Sequence, residues 1–178
     1  MITLNVPEGK RISQKSYEEI LDELAFHRLH CPCCGRGGCL KRHGYYTRGV
    51  KVYENPEQSE QTVKLRILRV KCAHCGTTHA LLPSYIVPYT HIRLEEQSEI
   101  IRAWEGVKDY DVIMERNSLL DCSDIRNVIR RYRKHWKERL ACAGLSVAMA
   151  LAELVRGCFQ YYTRQFMQLR VTPNGLFL

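Results

Sequence analysis

Two short cysteine pairs constrain this chain more than any other feature. Cys31-Pro32-Cys33-Cys34-Gly35 and Cys72-Ala73-His74-Cys75-Gly76 each hold two thiols separated by two residues, with a glycine directly behind. That spacing lets one pair grip one metal ion, and the glycine allows the positive φ of a tight turn. Two pairs supply four soft ligands, which zinc takes as a closed tetrahedron with no position left for water. The expected cofactor is one structural zinc ion on Cys31, Cys34, Cys72 and Cys75. A redox C-x-x-C usually opens a helix behind a strand, and two pairs each backed by glycine do not suit that role. The nine cysteines are an odd number, which argues against a simple disulfide framework. Cys33, Cys39, His43, His74 and His79 lie near enough to replace a ligand, and Cys33, Cys39 and His43 to help form a second site. Cys122, Cys142 and Cys158 fall in helical segments at apolar positions and read as small core residues.

Around the pairs, the periodicity changes along the chain. Residues 3–6 read as a short strand. Residues 16–29 read as an amphipathic helix with Ser16 and Glu19 at capping-box spacing and an apolar stripe of Ile20, Leu21, Leu24 and Leu29. From Leu40 to Lys71 the pattern is β, with Tyr45, Tyr46, Val50, Val52 and Tyr53 on one run and Val63, Leu65 and Ile67 alternating with Lys64, Arg66 and Leu68 on the next, one face apolar and the other largely basic. The polar stretch 54–61, with Pro56, reads as the hairpin loop. Pro83 and Pro88 mark 81–93 as a linker, and helices are expected near 94–105, 109–117, 123–139 and 145–167. Asn174-Gly175 suggests a turn. The fold class expected is α+β: an antiparallel zinc ribbon followed by an all-helical, helix-turn-helix-like domain. Residues 1–90 would hold the first helix and ribbon, 91–140 the helix-turn-helix-like segment, and 141–178 a last helix for packing or dimerisation.

Charge is unevenly spread over the 178 residues and their net +8. Residues 31–94 carry ten Lys or Arg against three acids, 95–121 three against eight, and 122–140 seven against two. Two basic blocks with an acidic one between them suit a polyanion such as nucleic acid. Met1 to Lys15 contains no apolar run of secretory length, and the most apolar stretch, 140–155, is short for a bilayer and carries Glu153. A cytoplasmic protein with no membrane partner is expected.

Residues 123–139 are the most informative helix. Ile125, Val128, Ile129, Tyr132 and Trp136 form one apolar stripe. The opposite face carries Ser123, Asn127, Arg130, Lys134 and Lys137, flanked by Arg126 and Arg131, with Ser123 as the expected N-cap. Such a face resembles a recognition helix, since Arg pairs with guanine, Asn with adenine, and Lys holds phosphates. The two helices before it would complete a trihelical unit around Val112, Ile113, Leu119 and Leu120. Leu151, Leu154, Val155, Cys158, Tyr162 and Phe166 make a further stripe, for packing or for a homodimer seam.

The first knuckle, the run Arg42-His43-Gly44-Tyr45, and the run Arg69-Val70-Lys71-Cys72-Ala73-His74-Cys75-Gly76-Thr77-Thr78-His79-Ala80-Leu81-Leu82-Pro83 resemble the N-terminal zinc ribbon of many bacterial insertion-sequence transposases. The whole chain is similar to small stand-alone bacterial proteins of ribbon and helix-turn-helix layout with no assigned function. The resemblance implies zinc on the four cysteines, DNA contact by ribbon and basic helix, and association with a mobile element, through a transposase or recombinase partner. It does not imply catalysis, because the carboxylate triad of those enzymes sits on a separate metal-binding domain. After residue 140 only Glu153 remains among the acids. The function expected is non-catalytic binding of double-stranded DNA. Lys41, Arg42, Arg48, Lys64 and Arg66 would seat the ribbon on the backbone, and the helix 123–139 would enter the major groove. Two other readings stand beside it. One is a protein adaptor built on the ribbon. The other is an RNA or single-strand binder that stacks bases on Tyr45, Tyr46 and Tyr53.

Overall fold

The computed structural model of the chain describes residues 2–4, 6, 13–52, 61–87, 90–116, 120–142, 144–146 and 148. It is mixed α/β, with a four-stranded sheet and several helices. The strands are β1 (Ile2–Leu4), β2 (Leu40–Val52), β3 (Gln61–Cys72) and β4 (Thr78–Pro83), in the order β1-β4-β3-β2. The helices are α1 (Gln14–Asp22), α2 (Leu94–Val107), α3 (Tyr110–Arg116), α4 (Cys122–Arg131) and α5 (Lys137–Cys142). Residues 54–60 of the expected loop 54–61, the segment from 149 onward and its aromatic stripe, Tyr53, Leu119 and Cys158 lie outside the described residues, and Gln61 is not loop but the first residue of β3. Leu145 and Ser146, at the expected start of the last helix, are not helical.

Strands β2 and β3 form a long antiparallel pair from Leu40↔Cys72 to Val52↔Gln61. One bulge interrupts it: Arg42 pairs with Val70 and Gly44 with Arg69, so His43 is the extra residue, and Gly44 takes a φ of 130°. Beyond the bulge the side chains change face. Leu65 and Ile67 are buried on one face, and Leu68 and Val70 on the other. β3 itself is unbroken and thus carries apolar residues on both faces, unlike the strand with one largely basic face that is expected. The edge of β2 is covered by the segment around His91, whose carbonyl accepts from the Lys51 N–H at 2.8 Å.

Strand β4 corrects the linker expected at 81–93. Leu81, Leu82, Ile86, Val87 and Ile92 are all buried. Prolines end this strand without making it a linker, because Pro83 sits at its last residue, where no further ladder bond is needed. The ladder between β3 and β4 covers only Arg69↔Ala80, Val70↔His79 and Lys71↔Thr78. At the next rung, Leu68 and Leu81, the Tyr17 hydroxyl takes the place of the strand bond. It accepts from the Leu68 N–H at 3.0 Å and donates to the Leu81 carbonyl at 2.9 Å. On the other edge of β4, Leu81 pairs with Ile2 of β1 in parallel.

Helix α1 begins earlier than expected. Its N-cap is Ser13, and Ser13 and Ser16 exchange backbone-to-side-chain bonds at 3.1 Å in both directions. Ser16 is therefore the inner member of the capping box and not the cap. The helix stops at Asp22, and only a short 3₁₀ turn, Phe26–Arg28, follows before the first cysteine pair.

The apolar residues separate into two clusters. One, from Ile2 to Ile86, belongs to the sheet and α1. The other, from Val87 to Leu145, belongs to the helices. In the second cluster Ile125, Val128, Ile129, Tyr132, Trp136 and Leu140 are buried, as the stripe predicts. Each fully buried aliphatic side chain there contributes roughly 1.5–3 kcal/mol. A π-helical turn, Tyr132–Trp136, joins α4 to α5. It fits one extra residue into a turn and so rotates the outward face downstream of it. Ile113 and Leu120 are buried as expected and Val112 is half-buried. Cys122 and Cys142 are exposed and not core, because they sit at the two ends of the α4–α5 stretch, off the buried stripe.

Candidate metal centre and basic surfaces

The two cysteine pairs fold into near-identical knuckles. The Cys31 N–H donates to the Arg36 carbonyl at 2.8 Å and the Gly35 N–H to the Cys31 carbonyl at 2.8 Å. The second knuckle repeats this with Cys72 to Thr77 at 2.9 Å and Gly76 to Cys72 at 3.0 Å. Gly35 and Gly76 take φ of 75° and 72°, which a side chain would strain. The strand pair β2–β3 brings one knuckle onto the other: Leu40 is opposite Cys72, and the Ala73 N–H donates to the Cys39 carbonyl at 2.8 Å.

The result is the group Cys31, Cys34, Cys72 and Cys75, whose sulfurs all lie within 4.8 Å of one another and can hold a metal ion. Two backbone donors already point at sulfur, Cys33 N–H to Cys31 Sγ and Cys75 N–H to Cys72 Sγ, each at 3.4 Å. The Cys75 N–H leads in pulling the Cys72 thiol down to about 6. Burial pushes Cys31 up to about 11.

Of the neighbouring groups, two touch the four. Cys39 Sγ is 3.3 Å from Cys72 Sγ, and the buried His79 places Nε2 3.4 Å from Cys31 Sγ. Such contacts orient ligand sulfurs from outside the ligand set. Cys33, His43 and His74 are exposed.

The basic residues expected to contact DNA do not share one surface. On the sheet, Lys41, Arg42, Lys64 and Arg66 are exposed. Arg42 lies over the Phe26 ring and Arg66 over the Tyr45 ring, each at 5.0 Å. Both arginines line a groove of about 260 Å³ that Glu18 and Asp22 of α1 also line. Tyr45 is exposed and Tyr46 packs against the core. Arg48 serves the fold instead. Its Nη2 donates to the carbonyls of Val87 and Thr90 and holds the sheet to the helical half. Lys51 supports the same seam through Asp124 at 3.2 Å.

On the helices, Ser123, Arg126, Asn127, Arg130 and Lys134 are exposed. Ser123 is not the cap; Asp121 is, and its side chain accepts from the Ser123 N–H at 2.6 Å. Arg131 is half-buried, with its guanidinium 5.6 Å from the Trp136 ring centre. Burial, and Arg48 after it, draws Arg131 below its ordinary pKa. Lys137, beyond the π turn, pairs with Glu105 of α2 at 2.9 Å. Arg126, Arg130, Arg133 and Lys134 instead line one open groove of about 590 Å³ with Tyr110. Arg133 and Tyr110 are not among the contacts that the sequence suggests. The spacing of Arg126, Arg130 and Arg133, i, i+4 and i+7, carries the signal for the first.

The fold and site thus define a mixed α/β chain in which a four-cysteine candidate metal centre closes one end of a sheet packed on a helical half. The chain belongs to the family described as a domain of unknown function, DUF6431, whose model matches residues 31–132. The matched stretch runs from the first metal-site cysteine to the start of the π turn, so it takes in both the cysteine knuckles and α4. No curated protein and no solved structure matches the chain. Among the described residues, no helix is long and apolar enough to cross a membrane.

Proposed function

We propose that this is a non-catalytic, zinc-containing protein that binds double-stranded DNA. In this reading the knuckled β-hairpin is a zinc ribbon and α2, α3 and α4 are a helix-turn-helix-like unit. Zinc is favoured by the donor set and its spacing. A tetrahedron with zinc–sulfur bonds of about 2.3 Å has edges of about 3.8 Å, and the Cys31–Cys75 and Cys34–Cys72 sulfurs lie 3.6 and 3.8 Å apart. Four thiolates leave no place for water or substrate, so the ion's work is to hold the hairpin.

The observation that carries the DNA reading is the outer surface of α4. Its inner stripe is locked in the core, while Arg126, Asn127 and Arg130 face solvent on α4 and Lys134 on the π turn that follows it. Side chains held in this way suit contact with a duplex, where Arg and Lys hold phosphates and Asn can read a base edge. The likeness of the knuckles to transposase ribbons favours a role at a mobile element, with a transposase or recombinase as protein partner and a homodimer through the chain beyond residue 148. The test is selection from a randomised duplex pool by the metal-loaded protein at physiological salt. One enriched motif is expected, and its symmetry reports the number of copies bound. A protein that enriches nothing, and whose duplex binding is indifferent to salt, is not a DNA-binding protein.

A further inference from the structure

We propose that the groove between the start of α3 and the flank of α4 is the seat of the DNA sugar–phosphate backbone, with Arg126, Arg130, Arg133 and Lys134 on phosphate oxygens. This rests on the DNA-binding reading and moves backbone contact from the sheet, where the sequence places it, to the helices. The described residues that line the groove bring four cations and no carboxylate. The acids beside Tyr110 do not line it, and Asp109 is turned to its own chain, its Oδ1 accepting from the Asp111 N–H at 2.9 Å. Four like charges on one short face repel one another, and an anion in the groove relieves that repulsion.

Two of the four are already positioned. The Arg133 guanidinium rests 5.8 Å from the centre of the Trp104 ring, and the same ring packs on Tyr110 at 4.7 Å. Trp104 is itself buried, so one core aromatic fixes both walls of the groove. Arg130 Nη2 donates to Asn127 Oδ1 at 2.9 Å. Side chains held in place before binding lose less rotamer freedom on binding. The length of the site favours a polymer over a small anion. From 126 to 131 α4 alone rises about 7.5 Å at 1.5 Å per residue, and Arg133 and Lys134 on the π turn extend the row beyond it. One DNA strand carries a phosphate every ~3.4 Å of axis, so the row faces several of them. Contacts of this kind orient a protein on the duplex and carry no sequence information. Reading would fall to the adjoining crown of the helix, at Ser123 and Asn127.

The experiment compares the zinc-loaded protein with the double variant Arg126→Ala/Arg133→Ala, both checked by circular dichroism and metal content. Each is titrated with the selected duplex and with a scrambled one over a range of salt. The variant should bind both duplexes more weakly by about tenfold or more, to the same degree. Its plot of log affinity against log salt should be shallower by about 1.8, since each lost phosphate contact is worth about 0.9. A variant with the wild-type slope and affinity overturns the backbone seat while leaving DNA binding intact. A loss confined to the selected duplex overturns it too, because the groove would then read bases. Wild-type protein that binds no duplex overturns both readings. Arg133→Lys, which keeps the charge, should retain most of the slope.

Discussion

The two basic grooves of this protein look alike in sequence and differ in what surrounds them. On the sheet, Arg42 and Arg66 share their groove with Glu18 and Asp22. On the helices, Arg126, Arg130, Arg133 and Lys134 share theirs with Tyr110, and no described acid lines it. The first balances two cations with two acids in its own lining, and the Arg66 backbone N–H donates to Gln14 Oε1 of α1 at 2.8 Å. The second has an excess of charge that nothing in its lining offsets. A cation's usefulness to a polyanion thus depends less on its exposure than on whether a carboxylate reaches it first.

The largest effect should come from the candidate metal site, which joins the ends of the strand pair that carries Arg42 and Arg66. Cys72→Ser should abolish stoichiometric metal binding and unfold the β-half, since structural zinc supplies folding energy directly, of order ~10 kcal/mol in small domains. Metal analysis and circular dichroism check it, and full metal occupancy in the variant would show the ligand set to be wrong. Metal affinity should also fall as pH falls. The ligands bind as thiolates, and a thiol such as Cys31, raised to about 11, must give up its proton to the solvent. Next in size, Tyr17→Phe removes the hydroxyl that stands in for a strand rung. It leaves the Leu68 N–H and Leu81 carbonyl without it, and should cost about 1–3 kcal/mol in denaturant unfolding. An unchanged midpoint would mean that water replaces the hydroxyl. The smallest effect sharpens the comparison itself. Arg42→Ala/Arg66→Ala should change duplex affinity about threefold or less, corresponding to roughly 0.6 kcal/mol, the scale of exposed ion pairs. A loss as large as that of the helical double variant would make the two grooves equivalent.

Much of this was legible from local pattern. The C-x-x-C-G repeats mark the four thiols that the fold brings together, because the knuckle is built from bonds spanning a few residues, such as Gly35 N–H to Cys31 carbonyl. The stripe of α4 was legible for a similar reason: Ile125, Val128, Ile129, Tyr132 and Trp136 report a helical period without reference to any other segment. The errors fell where a residue's role depends on a distant one. The stretch 81–93 reads as linker by its prolines, yet Leu81 and Leu82 complete the sheet core. The face change at His43 was hidden because a bulge alters which side of a strand every later residue faces.

The sequence alone therefore determined the four thiols that can hold a metal ion, the hairpin that joins them and the buried face of α4, all consequences of spacing along the chain. Only the tertiary structure decided which cations face an open groove. Arg48 is taken by carbonyls at Val87 and Thr90, Lys51 by Asp124 and Lys137 by Glu105. Arg133 is held instead by Trp104 at the groove's edge. Electrostatic pairing acts through space over a few ångströms, and the chain reveals those neighbours only once it has folded.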